Sequence, residues 1–188
     1  MPLSPSEAQD ALRDISATAQ ASAMSYSYRM ASPHFILWGV IWVVAWSISY
    51  FEPAQNWVWL VLDAVGIAGS FYLGRKAWRH ANVSAQRGRW GLKYGGSFVA
   101  IAIFITAVFA IMPPQNALQS SAFFPLLVAL LYSLAGLWAN ATRLVLIGIA
   151  IALLTLIGFF WLPQIFLLWM AFVGGGALIF AGLWLRTA

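Results

Sequence analysis

The chain has 188 residues, of which 62% are hydrophobic and 8% are charged, and its formal net charge is +5. Soluble globular domains carry about 25% charged residues, so this composition excludes that class. The absence of cysteine excludes disulfides, thiolate metal sites and cysteine nucleophiles. The basic balance does not predict nucleic-acid binding, because six of the ten Lys and Arg residues lie in one short segment where membrane topology accounts for them.

Residues 1–33 are predicted to form a cytoplasmic amphipathic helix and a linker. Ser4-Pro5-Ser6-Glu7 has the form of a capping box with proline at the first helical position. A weak apolar stripe follows at spacings of three and four residues. Its members are Leu12, Ile15, Ala19, Ser22 and Tyr26. Three interpretations stay open: an interfacial helix on the inner leaflet, a partner-binding helix, and a helix folded onto the bundle.

Ser32-Pro33 repeats the signal of a cap followed by proline and predicts that the first membrane span begins there. Six apolar stretches of roughly 17–22 residues follow, the length that crosses about 30 Å of hydrocarbon. Because lipid offers no partner for backbone polar groups, these stretches must be helical. The predicted fold class is therefore an all-α polytopic membrane protein with a transmembrane domain at 34–186. Its spans lie near 34–51, 56–74, 95–112, 121–139, 143–161 and 164–185.

The positions of the basic residues predict the orientation. With six spans, all ten cations fall on one side, and the opposite loops near 52–56, 113–121 and 162–164 contain none. Positive charge stays on the cytoplasmic side, so both termini are predicted to be cytoplasmic. The segment 75–94 is predicted to be a basic cytoplasmic loop whose cations contact anionic lipid headgroups. These cations are Arg75, Lys76, Arg79, Arg87, Arg89 and Lys93.

The spans are predicted to pair as three tandem helical hairpins. Pro53, Pro113 and Pro163 each end an outgoing helix and are followed by a Gln or Asn. Each returning helix ends with an Ala-Gly step, aromatic residues and an arginine. A true triplication is one interpretation. The other is that every outer turn collects proline and amides and every cytoplasmic end collects Trp and Arg.

Asp63 is the one ionisable residue inside a predicted span, about 9 Å below the outer interface by helical rise. A carboxylate there costs several kcal/mol unless it faces protein or water or takes up a proton. Gly66 and Ser70 follow on the same helix face, which is small, polar and predicted to face inward. One hypothesis is that Asp63 binds a cation or relays a proton. The alternative is that it fixes helix packing through a hydrogen bond to Ser47, Ser49 or Thr106.

Aromatic residues recur every four positions along the first span, at Trp38, Trp42, Trp46 and Tyr50. Trp42 and Trp46 lie inside the span and are predicted to bracket the depth of Asp63 on the neighbouring helix. A carboxylate beside indole rings is suited to an organic cation. The alternative is that the stripe packs against helices or lipid. Trp59 is interpreted as an ordinary interfacial tryptophan.

Gly174-Gly175-Gly176 in the last span predicts a flexible point, a close helix crossing or an unwound substrate site, and close packing is the commonest cause. The sequence offers no candidate catalytic residue. His34 and His80 have no metal-like spacing, and no nucleophile elbow, zinc-protease helix or phosphate loop is present. No metal site and no cofactor are therefore predicted.

The Ser32-Pro33 start and the Trp38-Gly39-Val40-Ile41-Trp42 segment resemble the beginning of small uncharacterised bacterial inner-membrane proteins. The resemblance covers about the first 50 residues clearly and the rest in hydropathy alone. It implies a bacterial inner-membrane location and no activity, cofactor or site.

The leading functional hypothesis is a small transport or permeation protein for a cation or organic cation, with Asp63, Trp42, Trp46 and Ser70 as the candidate site. It would act as an oligomer, because six short helices leave little interior for a solute path. The alternative is a non-catalytic regulatory or scaffold subunit that binds a protein partner through its N-terminal helix and basic loop. Anionic inner-leaflet lipids are expected partners of either.

Overall fold

The computed structural model describes residues 5–55, 57–80 and 87–187, without the side chains of 5–8 and 76–94. All regular secondary structure in these ranges is helical. The long helices are α1 (Pro5–Phe51), α2 (Trp57–His80), α3 (Arg87–Ile111), α4 (Ala117–Trp138) and α5 (Thr142–Trp161). The chain ends with a 3-10 turn (Pro163–Ile165), α6 (Phe166–Trp169), a π-helical turn (Met170–Gly174) and α7 (Gly175–Leu185).

Within the described residues, five helical segments are long and apolar enough to cross a membrane. They are Gln9–Phe51, Trp57–Arg75, Ala117–Trp138, Thr142–Trp161 and Pro163–Leu185. The predicted third span falls in α3, whose described apolar part, Gly95–Ile111, is shorter than the others. The all-helical fold class is thus confirmed, with helices long and apolar enough for a membrane protein, while six spans and their orientation stay predictions.

Helix α1 is continuous through Pro33, so the predicted break between a linker and the first span is wrong. Its 47 residues extend for about 70 Å at helical rise. Ser32, the residue before this proline, is fully buried and does not cap a helix. Its hydroxyl donates to the carbonyl of Gly182 at 2.6 Å and accepts from Arg186 Nε at 3.0 Å. Ser4, the other predicted cap, lies outside the described residues.

The first part of α1 makes little contact with the rest of the protein. Residues 9–23 are exposed, and Leu12 and Ile15 of the predicted stripe are 66% and 65% exposed. The interpretation that this segment folds back onto the bundle is therefore wrong. Because this segment is exposed, its apolar stripe can contact a lipid surface or another protein.

The predicted basic loop at 75–94 is largely helical, because α2 continues to His80 and α3 begins at Arg87. Arg75 is exposed. The side chains of the other predicted headgroup-contacting cations lie outside the described residues. They are Lys76, Arg79, Arg87, Arg89 and Lys93.

The most extensive helix–helix interfaces are α1 with α7 and α4 with α5. Glycine permits both: a Cβ on Gly175 would lie 2.9 Å from the carbonyl oxygen of Gly39, and one on Gly148 would lie 2.6 Å from that of Ala129. Helix α3 meets α4 near the proline-containing turns, where Phe109 packs on Phe123 with ring centroids 5.2 Å apart. In the described part of the chain, the three predicted hairpins are therefore not three separate packing units.

Close packing against α1 explains Gly175, one residue of the Gly174–Gly176 run. Close packing was the commonest of the three interpretations of that run. Just before it, Met170–Gly174 adopts a π-helical turn in place of a regular helix. Such turns are rare and frequently occur at functional sites. This turn immediately precedes the part of α7 that carries Leu178.

At the end of the bundle where the α4–α5 turn and the C-terminus of α7 lie, one arginine packs between two aromatic rings. The Arg143 guanidinium lies 5.7 Å from the ring centroid of Tyr28 and 4.9 Å from that of Trp184. Its NH1 also donates to the carbonyl of Trp184 at 2.8 Å. These contacts tie together α1, α5 and α7, and we call this group the arginine clasp (Tyr28, Arg143, Trp184).

Candidate functional site: an aromatic cavity around Asp63

Between α1, α2, α4 and α7 lies a cavity of about 470 Å³. This volume falls within the range of small-molecule binding sites, roughly 300–1,000 Å³. Most of its lining residues are aromatic or apolar, and one is acidic. They are Trp38, Trp42, Trp46, Trp59, Asp63, Ser120, Ser121, Phe124, Val128, Tyr132 and Leu178. We call it the aromatic cavity.

One wall is the tryptophan stripe of α1. Trp38, Trp42 and Trp46 are spaced by four residues, which places their side chains on one helix face. Trp42 and Trp46 are 7% and 4% exposed and belong to the protein core. The stripe thus packs inside the bundle and also lines a cavity, so the packing and binding interpretations of these residues are compatible.

The second wall is the face of α2 that carries Trp59 and Asp63. The Trp59 ring packs edge-to-face on that of Trp46, with centroids 4.6 Å apart and planes at 72°. Trp59 Nε1 donates to Ser49 Oγ at 2.9 Å. Trp59 therefore lies at the level of Trp46, and Asp63 lies one turn further along α2. The predicted common depth of Asp63, Trp42 and Trp46 agrees with this register.

Helices α4 and α7 complete the cavity from the other side. Ser120 and Ser121 lie in the first turns of α4, and Phe124, Val128 and Tyr132 follow at spacings of three or four along the same face. The Tyr132 ring also packs on Phe35 of α1, with centroids 4.8 Å apart. The described residues of α3 contribute nothing to the lining.

Asp63 is the only charged residue among those that line the cavity. It is half-buried, and no hydrogen bond or ion pair joins it to another residue in the described ranges. The packing hypothesis named Ser47, Ser49 and Thr106 as possible partners, and no hydrogen bond joins any of them to Asp63. Ser49 instead accepts from Trp59, and the Thr106 hydroxyl donates to the carbonyl of Ala102. The Asp63 carboxylate therefore has no hydrogen-bond or ion-pair partner within the described residues.

Ser70, the fourth predicted site residue, does not line the cavity. Its hydroxyl accepts from Trp38 Nε1 at 3.2 Å, so it anchors the wall at the end away from Trp59. Ser70 and Ser49 thus play the same part on opposite sides of Asp63. Each accepts the N–H of a cavity tryptophan across the α1–α2 interface.

Trp46 differs from these tryptophans, because its indole nitrogen is buried and has no hydrogen-bond partner within the described residues. Unpaired buried donors are uncommon in native proteins and call for a specific explanation. The Trp46 side chain also lines the cavity.

Trp59, Phe124, Tyr132 and Leu178 were not predicted to be cavity residues. The signal at Trp59 was its spacing of four residues before Asp63, which places both on one face of α2. No comparable signal marks the α4 and α7 residues, because they reach the cavity through contacts between helices that are distant in sequence.

The described residues contain no group of three His, Asp or Glu side chains that could hold a metal ion. The chemistry that this geometry offers is recognition of a cation by one carboxylate and several aromatic faces. Comparisons with protein-family models, curated proteins and solved structures find no match for the chain.

Proposed function

We propose that the protein binds an organic cation in the aromatic cavity and acts as a small transport or permeation protein of the bacterial inner membrane. The observation that carries the proposal is the position of Asp63, a carboxylate without a partner among the described residues, in a cavity lined by four tryptophans. The comparisons with known proteins bear neither for nor against it.

Two effects favour an organic cation over a metal ion. Indole faces attract cations by about 0.5–2 kcal/mol each, and the attraction is larger when water is excluded. Calcium and magnesium need about six or more oxygen ligands, whereas this cavity offers one carboxylate and the hydroxyls of Ser120, Ser121 and Tyr132. A weakly hydrated ammonium group needs few hydrogen bonds and gains most from aromatic walls.

Transport requires access from both sides of the membrane. In the predicted orientation, the arginine clasp closes the cytoplasmic end of the bundle, while the cavity lies toward the proline-containing turns. We therefore expect that the described conformation presents the cavity outward and that release to the cytoplasm requires the clasp to open.

Binding of tetraethylammonium to the purified protein, measured by isothermal titration calorimetry, tests the proposal. We expect Asp63→Asn to weaken binding at least tenfold, because it removes the charge and retains the shape of the side chain. Glu52→Gln is the matched control, since Glu52 is exposed and lies outside the cavity. Equal affinity of Asp63→Asn and wild type would refute the cation-binding function.

A second candidate is the regulatory or scaffold subunit, which the exposed apolar residues Leu12 and Ile15 favour. Deleting residues 1–22 separates the two candidates without removing Tyr28 from the arginine clasp. A transporter retains tetraethylammonium binding and flux after this deletion. A scaffold instead loses its co-purifying membrane partner, and Asp63→Asn leaves that partner bound.

A further inference from the structure

Arg143 and Arg186 are both held against α1 by uncharged groups. The Arg143 guanidinium packs on the rings of Tyr28 and Trp184 and donates to the Trp184 carbonyl. Arg186 Nε donates to Ser32 Oγ at 3.0 Å, one turn further along α1 than Tyr28. A guanidinium carries several N–H donors, and in each of these two a single one is accepted by a described residue. The pair therefore presents unused donors at one end of the bundle.

The carboxylate side chains of the protein lie far from this pair. The sequence contains five acidic residues: Glu7, Asp10, Asp14, Glu52 and Asp63. Asp14 precedes Tyr28 by 14 residues, about 21 Å along α1, and the two acidic residues before it lie further away. Glu52 follows Ser32 by 20 residues, about 30 Å in the other direction. Asp63 lies in the aromatic cavity near the depth of Trp42, about 15 Å beyond Ser32 along α1.

The helix ends at this place do not supply the missing negative charge. The C-terminus of α7 contributes a partial negative charge, which the Trp184 carbonyl directs at Arg143. The N-terminus of α5 contributes a partial positive charge of similar size, and its N-cap residue, Ala141, makes no side-chain capping bond. Because these two contributions offset each other, the full charges of the two arginines remain.

An exposed apolar side chain follows each arginine toward the middle of the bundle. Leu183 precedes Arg186 by three residues on α7, and Leu146 follows Arg143 by three residues on α5. The two leucines are 49% and 50% exposed. Residues three apart are neighbours on a helix surface, so each arginine borders an apolar surface. This arrangement suits a ligand with an anionic head and hydrocarbon chains.

We propose that Arg143 and Arg186 form a binding site for the phosphate of an anionic phospholipid. Guanidinium groups bind phosphate oxygens through paired N–H donors, and basic pockets between membrane helices bind anionic headgroups. In this site the phosphate neutralises the arginine pair, and the acyl chains lie along Leu146 and Leu183. The site is separate from the aromatic cavity and from the basic segment 75–94, so it goes beyond the proposed function.

Native mass spectrometry of the detergent-purified full chain, titrated with dioleoylphosphatidylglycerol, counts bound lipids and gives their affinities. We expect the first lipid to bind at least about tenfold more tightly than the second, as one defined site predicts. Arg186→Lys keeps the charge but loses the planar pair of donors. It should weaken the first binding step about five- to tenfold, as the loss of one charge-assisted hydrogen bond allows. Arg143→Lys should weaken this step to a similar extent.

Arg75→Lys is the matched control, since Arg75 is exposed and lies near the end of α2. It should leave the first binding step unchanged. The proposal is overturned if the first lipid binds no more tightly than the second, or if Arg75→Lys weakens binding as much as the site variants do. It is also overturned if Arg143→Lys or Arg186→Lys binds the first lipid as tightly as wild type. Diffuse attraction to a basic surface, or prior pairing with a C-terminal carboxylate, predicts that result.

Two further ligands identify the source of the phosphate. Dioleoylphosphatidylcholine carries the same phosphate and chains without net charge, and should bind at least about fivefold more weakly than phosphatidylglycerol. Inorganic phosphate, titrated calorimetrically into the same protein, should bind at least about tenfold more weakly, because it has no chains to contact the two leucines. Binding of phosphatidylcholine as tight as that of phosphatidylglycerol would refute an anionic headgroup, and equally tight binding of inorganic phosphate would refute a lipid.

Discussion

The crossing of α1 and α7 gives the sharpest test of the packing. A Cβ on Gly175 would lie 2.9 Å from the carbonyl oxygen of Gly39 and 3.0 Å from the amide nitrogen of Val43. Both atoms belong to the backbone, so α1 and α7 must move apart to accept an alanine. A Cβ on Gly176 would meet nothing within 4 Å. Gly175 and Gly176 therefore lie in the same helix but differ in whether they contact α1.

Gly175→Ala and Gly176→Ala gain the same intrinsic helix propensity, so their difference isolates the contact. Overpacking a tight interface costs about 1–3 kcal/mol. We expect Gly175→Ala to be about 2 kcal/mol less stable than Gly176→Ala. For a chain of this length, that corresponds to a melting temperature about 4–8 °C lower. Scanning tryptophan fluorescence of the detergent-solubilised protein measures it.

Gly39, which lies opposite Gly175 on α1, provides a second test of the same crossing. A Cβ on Gly39 would lie 2.8 Å from the carbonyl oxygen of Gly175, so Gly39→Ala separates the same two helices. The double variant Gly39→Ala/Gly175→Ala should cost less than the sum of the single variants, because the first separation makes room for the second Cβ. If Gly175→Ala melts at the temperature of Gly176→Ala, the close crossing does not exist in solution.

Three further predictions concern the ends of the helices and the orientation. Arg143→Lys keeps the charge but loses the planar contacts of the guanidinium with the rings of Tyr28 and Trp184, and should lower stability by about 0.5–1 kcal/mol. Arg75→Lys, at an exposed arginine, should change the melting temperature little. Asn140 has a φ of 53°, so Asn140→Val should cost about 1–2 kcal/mol, with Asn140→Gly near wild type in the same melting assay. A thiol reagent that cannot cross membranes should label Asn116→Cys and not Arg87→Cys in intact cells, and labelling of Arg87→Cys would reverse the orientation.

The helices themselves were largely predictable from sequence, because hydropathy and proline act locally. Helix α5 was expected near 143–161 and is found at Thr142–Trp161. Asn116, in a predicted turn, caps α4 by accepting from the amide of Gln119 at 2.9 Å. The continuity of α1 at Pro33 was not predicted, because Ser32-Pro33 has the local form of a helix start, whereas Ser32 is bonded to Gly182 of α7, 150 residues away in sequence.

The cavity residues also fall into a group that was predictable from the sequence and a group that was not. Asp63 and Trp46 lie on consecutive antiparallel helices, so counting residues from their shared turn was enough to match their depths. Tyr132 and Leu178 reach the cavity because α1 packs along α7 and faces α4 across the gap. No local periodicity specifies which distant helices become neighbours. Trp59 was overlooked because tryptophans near helix ends are common in membrane proteins.

The most direct test of the central claim locates a bound cation. Tetraethylarsonium keeps the shape and charge of tetraethylammonium and can be found by the anomalous scattering of arsenic in crystals of the protein. We expect one strong peak inside the aromatic cavity, between the Asp63 carboxylate and the rings of Trp42 and Trp46. The peak should be absent from crystals of Asp63→Asn. An empty cavity in the wild type at saturating cation, or an equal peak in Asp63→Asn, would contradict the account.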